Sequence, residues 1–442
     1  MKTADQTPTV SLWRDRRFRR FWAGQSISQF GDRITELALP LIAVATLHAS
    51  ADQVAWLTAL IWTPNLLAIV LGAWVDRRAR KRALMVLADL VRAAVLLSVP
   101  VAYVMGAVTL GQLYAVALLT GAAGVLFNTA YPPFFTRLVP RSSYVDANSK
   151  LSASRSVSYV AGPAIGGALV QLVTAPVALV VDALTFLASA VLVGRVSVDE
   201  TPAAHDPAAA TLLRRAREGL VFVIRHPVLR AGLGCAATVN FFTFVAGSGL
   251  IVLFASRNLG LDAGVIGLAF GIGATGSLLG AVLAPRVSRR IGVGRSIVVG
   301  AVMYPAPIAV IAAATADGPV WTRAGALALA EFLSGVGVML FDVNLNSLQA
   351  AVIPDGMRSR VAGAFGTLNY GVRPVGAVIG GLLATFAGLR VTLLVGAVGG
   401  ALSLLWLLPS PIPRIRSLTP DDPAFAAIPG RDVTGDERHA HP

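Results

Sequence analysis

Asp32 and Glu36 stand four residues apart in GQSISQFGDRITELALP, so a helix there carries both carboxyls on one face. Ser28 and Gln25 extend that face as a polar stripe. Such a stripe is costly against lipid and is expected to turn toward a cavity. Two carboxyls close together in a low-dielectric cavity exchange a proton as the cavity opens and closes, which is what coupling a proton to a cationic or polar solute requires. Asp32 is the first candidate for the coupling acid and Glu36 the second; the alternative is that both are structural partners of Arg33 or of another helix. Asp89 and Arg92, three apart, are spaced to neutralise one another. Asp182 and Glu331 lie inside apolar stretches and are candidates for the same cavity, whereas Asp342, near the end of its stretch, is placed to pair with a gate arginine.

Solute contacts call for aromatic faces with a few orienting amides. Trp62 and Asn65, then Asn240, Phe241 and Phe244, meet that description, and Arg373 is a further polar residue that lines the cavity or needs an acidic partner. Trp56 and Trp321 sit near segment ends and suit an interfacial belt better. The five histidines are scattered and one cysteine, Cys235, excludes an internal disulfide and a thiolate cluster. No Walker sequence, buried His-x-x-x-His or Gly-x-Ser-x-Gly is present. An enzyme, a metal site and a cofactor are therefore not expected.

The elements that hold these residues follow from composition. The chain has 442 residues, 55% of them hydrophobic and only 14% charged, and its mean hydropathy is +0.70. A soluble protein of that length needs more charged surface, so an all-helical integral membrane protein is expected. Apolar segments fall at roughly 21–47, 55–74, 83–104, 109–129, 151–172, 175–194, 229–255, 263–284, 295–315, 321–343, 360–386 and 388–408, which makes about twelve spans. The net charge of +14 does not point to nucleic acid, because the basic residues gather in alternate connections. These include Arg77 to Arg82, Arg137 to Lys150, Arg195 to Arg225, Arg286 to Arg295, and Arg358 with Arg360; Arg257, Arg323 and Arg390 are the scattered exceptions. That asymmetry predicts both termini in the cytoplasm.

The expected domains are a cytoplasmic segment 1–20, a six-helix bundle 21–194, a linker 195–228, a second bundle 229–409 and a disordered tail 410–442. LLRRAREGLVFVIRH in the linker has the pattern of a basic amphipathic helix on the inner membrane face. The halves repeat: Pro140, Gly162, Gly166 and Gly167 match Pro354, Gly376, Gly380 and Gly381 at one offset, with Asn128 opposite Asp342. Paired six-helix halves are the construction that alternating access uses, and such a pair encloses its own pathway, so a monomer is expected.

Three stretches carry a family resemblance. In LGAWVDRRARKR, Gly72, Asp76, Arg77 and Arg80 resemble the loop between the second and third helices of the major facilitator superfamily, with Ala79 in place of the usual second glycine. Gly162, Pro163, Gly166 and Gly167 are similar to the fifth-helix motif of drug and proton antiporters in that superfamily. NTAYPPFFTRLVPRSSYVDANS, followed by GPAIGG, resembles the branch of macrolide, enterobactin and related drug or siderophore exporters. The resemblance implies two six-helix pseudo-repeats with Asp76, its basic neighbours and the fifth-helix glycines as conformational gate, which Asp342 joins by its position, in a bacterial inner-membrane antiporter moving an amphipathic small molecule outward as protons enter. Facilitated transport or uptake of a metabolite without proton antiport is the alternative.

Overall fold

The computed structural model describes residues 12–76, 78, 80–140, 143–198, 209–354, 357–419 and 421–427, and among them there are helices and no strands. The helices are α1 (Arg16–Ala45), α2 (Ala51–Trp62), α3 (Ala68–Asp76), α4 (Lys81–Val104), α5 (Leu110–Leu138), α6 (Tyr144–Val173), α7 (Ala175–Gly194), α8 (Ala209–Arg225) and α9 (Pro227–Ala246). They continue with α10 (Ser248–Arg257), α11 (Ala263–Ile291), α12 (Val293–Met303), α13 (Ile308–Ala313), α14 (Val320–Val352), α15 (Arg358–Ala387), α16 (Leu389–Ala401), α17 (Leu404–Leu407) and α18 (Pro423–Ala426).

Their ends are set by ordinary capping chemistry. Asp15 accepts the Arg17 backbone N–H at 2.8 Å to start α1, and Thr109 accepts that of Gln112 at 3.2 Å to start α5. Pro227 occupies the first turn of α9, where its missing N–H costs nothing, and His226 caps that helix through the Leu229 N–H. The turns before α12 and α16 need a left-handed backbone and place Gly292 (φ 96°) and Gly388 (φ 85°) there.

Among the described residues ten helical stretches are long and apolar enough to cross a membrane. α1 carries Asp32, Arg33 and Glu36 in its middle, and the 51–76 stretch is broken at Pro64 by a tight helical turn over Thr63–Leu67; neither is among the ten. Large apolar side chains point outward from these helices: Val104 and Phe386 are each 87% exposed and Leu172 81%. Outward apolar surface on this scale requires lipid as the surrounding medium.

The chain folds into two compact units, 1–206 with 249–271, and 207–248 with 272–442. In the first, α1 packs on α6 and α7, and α4 on α5 and α7, around Phe18, Phe21, Met85, Phe127 and Phe134. In the second, α9 packs on α15 and α16, and α12 on α14.

The repeated glycines explain how the helices approach. A Cβ on Gly162 would meet the Arg33 side chain of α1 at 2.5 Å and one on Gly166 would stand 3.3 Å from Ile34 Cα. In the second unit, Cβ atoms on Gly376 and Gly380 would overlap the Phe241 and Val245 carbonyl oxygens of α9. The same glycine spacing thus seats α6 on α1 and α15 on α9. Because lipid is as apolar as leucine, such close contact rather than the hydrophobic effect holds membrane helices together.

One segment takes the helical form expected of it and another departs from the expected layout. The linker does form a helix, α8, but it packs on α15: Glu218 pairs with Arg360 at 2.9 Å and Val223 is buried in the core of the second unit. The tail, expected to lack order from Pro411, is folded over 411–419 and 421–427, and its residues 428–442 lie outside the described residues. Ile412, Ile415 and Phe425 join Val223, Ile297, Leu348 and Val352 in one core. The Val293 and Gly294 N–H groups donate to the Arg416 and Ile415 carbonyls at 3.1 and 2.9 Å, and Asp422 accepts from Arg416, Ser417 and Ala424 N–H. At an aqueous end of the bundle the hydrophobic effect operates again, and these three side chains supply enough apolar area to order the strap.

Candidate functional site

In the first unit, α1, α4 and α7 bring four charged residues together. Arg92 Nη1 of α4 lies 3.9 Å from Asp32 Oδ1 of α1, and the buried guanidinium faces the rings of Phe186 (4.9 Å) and Phe127 (5.9 Å). Gly124 of α5 makes the room: a Cβ there would stand 2.5 Å from Arg92 Nη2. Asp89, one helical turn before Arg92, is buried within electrostatic reach of both Arg92 and Asp32, with the Ser189 hydroxyl of α7 beside its carboxyl. Asp182 of α7 is fully buried and accepts hydrogen bonds from Thr35 of α1 and, at 3.1 Å, from Thr185. Gly31 allows this contact, since a Cβ there would overlap Asp182 Oδ1 and Thr185 Oγ1.

Arg92 therefore has an ion-pair partner in Asp32 on another helix, in addition to the electrostatic interaction with Asp89 that the spacing predicts. Its long side chain reaches α1, while the shorter Asp89 stays within the α4–α7 packing. Glu36 does not join the cluster by contact: it pairs with Arg33 at 2.6 Å, and Arg33 stacks on Tyr159 of α6 at 4.6 Å. Gln25 and Ser28 are buried, and the Ser28 hydroxyl is spent on the Gln25 carbonyl of its own helix at 3.2 Å.

The second unit holds a comparable arrangement around Arg373. Its Nε donates to Asn240 Oδ1 at 3.0 Å, Asn240 Nδ2 donates to Asn369 Oδ1 at 2.9 Å, and the guanidinium lies over Tyr370 (4.4 Å) and Phe244 (5.0 Å). Asp342 of α14 is within electrostatic reach of Arg373. Phe241 turns edge-on to Phe242 at 5.1 Å. Asn369 and Tyr370, together with Thr35 and Thr185 in the first unit, are absent from the sequence-derived candidates. Asn369 and Tyr370 stand four and three residues before Arg373, the spacing that puts them on its helix face. Glu331 lies in α14 against Gly273 of α11. Asn65 and Trp62 sit at the break after α2, where the Asn65 amide donates to the Trp62 carbonyl at 3.1 Å.

Of the gate candidates, Arg77 and the side chain of Asp76 lie outside the described residues. Around them, a Cβ on Gly72 would meet Thr129 Cγ2 at 3.7 Å, Arg80 is exposed just before α4, Lys81 donates to the Val75 carbonyl, and Arg82 donates to that of Val196 at 2.7 Å. Pro163 lies within α6, and a Cβ on Gly167 would be 2.6 Å from Gly267 Cα, so α6 and the start of α11 run backbone to backbone.

Charged and amide side chains buried among lipid-facing helices mark a multi-pass membrane protein with a functional path between its helices. The chain belongs to the Major Facilitator Superfamily, whose sequence model matches residues 21–373 and 233–434. It is 28% identical over 408 residues to the multidrug efflux pump Tap of Mycolicibacterium fortuitum, covering 88% of this chain and 93% of that one. It is also 28% identical over 381 residues to the MFS-type transporter YfiS of Bacillus subtilis (strain 168), covering 84% and 88%. Among solved structures, a bacterial homologue of the iron transporter ferroportin in an inward-facing state superposes with a TM-score of 0.70 at 16% identity, over 89% of this chain and 99% of that one. The nucleoside transporter NupG superposes at 0.63 and 12% identity, over 89% and 98%. These structures share the fold.

Proposed function

We propose that this transporter is a proton-coupled exporter of amphipathic small molecules such as drugs, macrolides or siderophores, working by alternating access in a bacterial inner membrane. The observation that carries the reading is the meeting of Asp32, Asp89 and Asp182 around the single guanidinium of Arg92. One fixed positive charge balances one carboxylate; the acids left over make the cluster a holder of exchangeable protons. Asp32 is the most accessible of the three carboxyls, so it is the group that trades its proton with the aqueous side.

The similarity to a pump named for multidrug efflux supports the outward direction and the substrate class. Arg373, Asn240 and the rings of Phe244 and Tyr370 furnish the second unit with contacts suited to a large, partly aromatic solute. In this reading α1 and the broken 51–76 stretch also cross the bilayer and bring the ten apolar crossings to twelve. Both termini are cytoplasmic and one chain suffices for transport.

The test follows substrate-induced proton movement in everted vesicles energised to an acidic interior, with a macrolide, a hydrophobic cation, a catechol siderophore and a tetracycline as probes. Proton release on adding one of them, abolished by Asp32→Asn, is the expected result. Uptake of a probe into vesicles without proton release sinks the antiport reading and leaves facilitated transport.

A further inference from the structure

Where α1 begins, a recess of about 440 Å³ is lined by Trp13, Arg16, Arg19, Arg20, Trp22 and Leu192, with no carboxylate among the described residues that line it. The two indoles meet edge to face, with ring centroids 4.8 Å apart. Arg20 Nη1 donates to the Arg195 carbonyl at the end of α7 at 3.0 Å, which ties the two helix ends together. Arg16 and Arg19 are exposed. The Trp22 indole Nε1 is buried without a hydrogen-bond partner. A buried donor in that condition is uncommon, and an acceptor supplied by a ligand satisfies it.

Topology alone needs basic residues only near the membrane surface; it does not need three guanidinium-bearing side chains around an aromatic-walled recess. The occupant these walls fit has anionic oxygens for the arginines, an acceptor for the Trp22 N–H and an apolar portion beside Leu192 and Trp13. Depth selects among anions. Leu192 is in the last turn of α7, one of the ten apolar crossings, so the recess sits where a membrane helix emerges at headgroup level. We infer that this recess is a binding site for the headgroup phosphate of an anionic phospholipid, held by Arg16, Arg19 and Arg20 with Trp22 as hydrogen-bond donor.

The test uses the purified full chain in detergent, with lipid binding followed by native mass spectrometry and phosphatidylglycerol, phosphatidylcholine and inorganic phosphate as probes. The wild type is expected to retain phosphatidylglycerol in preference to phosphatidylcholine. Arg16→Gln with Arg19→Gln is expected to weaken phosphatidylglycerol binding about 30-fold. Trp22→Phe, which keeps the ring and removes the donor, is expected to weaken it about fivefold. Unchanged thermal midpoints without lipid establish that these variants are folded. The control Arg289→Gln with Arg290→Gln, at the far end of α11, is expected to bind as the wild type. The proposal is overturned if the first pair binds phosphatidylglycerol normally, if the control pair loses it equally, or if inorganic phosphate competes as well as the lipid does.

Discussion

Arg92 and Arg373 are handled alike in their separate units: each guanidinium is laid on two aromatic rings and set near an acid from another helix. Aromatic faces compensate a guanidinium without neutralising it, so the charge stays available to respond to a proton or a solute. Lysine in place of Arg373 keeps the charge and loses the planar stacking and the Nε bond to Asn240. Arg373→Lys is therefore expected to raise the KM for an exported aromatic substrate about tenfold while substrate-driven proton movement persists; an unchanged KM would remove Arg373 from the solute path. The neighbouring acid makes a second demand on space. Gly31→Ala drives a methyl group into Asp182 and Thr185, and it is expected to destabilise the protein by about 1–3 kcal/mol in a detergent melt.

Between helices, glycine position sets what the packing tolerates. Gly167 and Gly267 bring α6 and α11 into backbone contact, and a Cβ on Gly267 would lie 2.5 Å from Gly167 Cα and from the Pro163 carbonyl. Gly267→Ala is expected to lower the thermal midpoint and to depress transport, because the helices have to separate to admit the methyl group. Gly363 in α15 is the matched control, with nothing within 4 Å of its Cβ direction. Gly363→Ala is expected to be neutral or stabilising by up to about 1 kcal/mol, as helix propensity alone dictates; equal losses in both variants would mean that glycine content, not close approach, is what matters. The paired glycine runs at one offset are visible in the sequence because a backbone-to-backbone crossing accepts almost no other residue. The Arg92–Asp32 pair is not visible, since its members lie on α1 and α4 with two further helices between them in the chain, and no local spacing reveals how those helices are rotated.

For the molecule as a whole, the apolar segments and the alternation of basic connections make the membrane architecture legible, because lipid imposes length and charge rules on every crossing. Those rules stop at the aqueous ends. The strap over residues 411–427 has Ile412, Ile415 and Phe425 separated by prolines and acids without a helical period, and its partners Val293 and Gly294 lie more than a hundred residues earlier. Nothing local announces it, yet Asp422 closes it. The backbone N–H groups of Ser417, Arg416 and Ala424 hold the Asp422 carboxyl below the usual carboxylate range. A folded-state value below the unfolded one adds stability above the ordinary carboxylate range, and that stability drains away as pH falls through the depressed folded value. Wild type and Asp422→Asn should therefore differ most in thermal midpoint near neutral pH, with the wild type higher, and should converge in acid. Fluorescence melts of both proteins between about pH 7 and pH 3 read this directly. A constant gap across that range would mean that the asparagine costs packing alone, and that the carboxylate charge does not hold the strap closed.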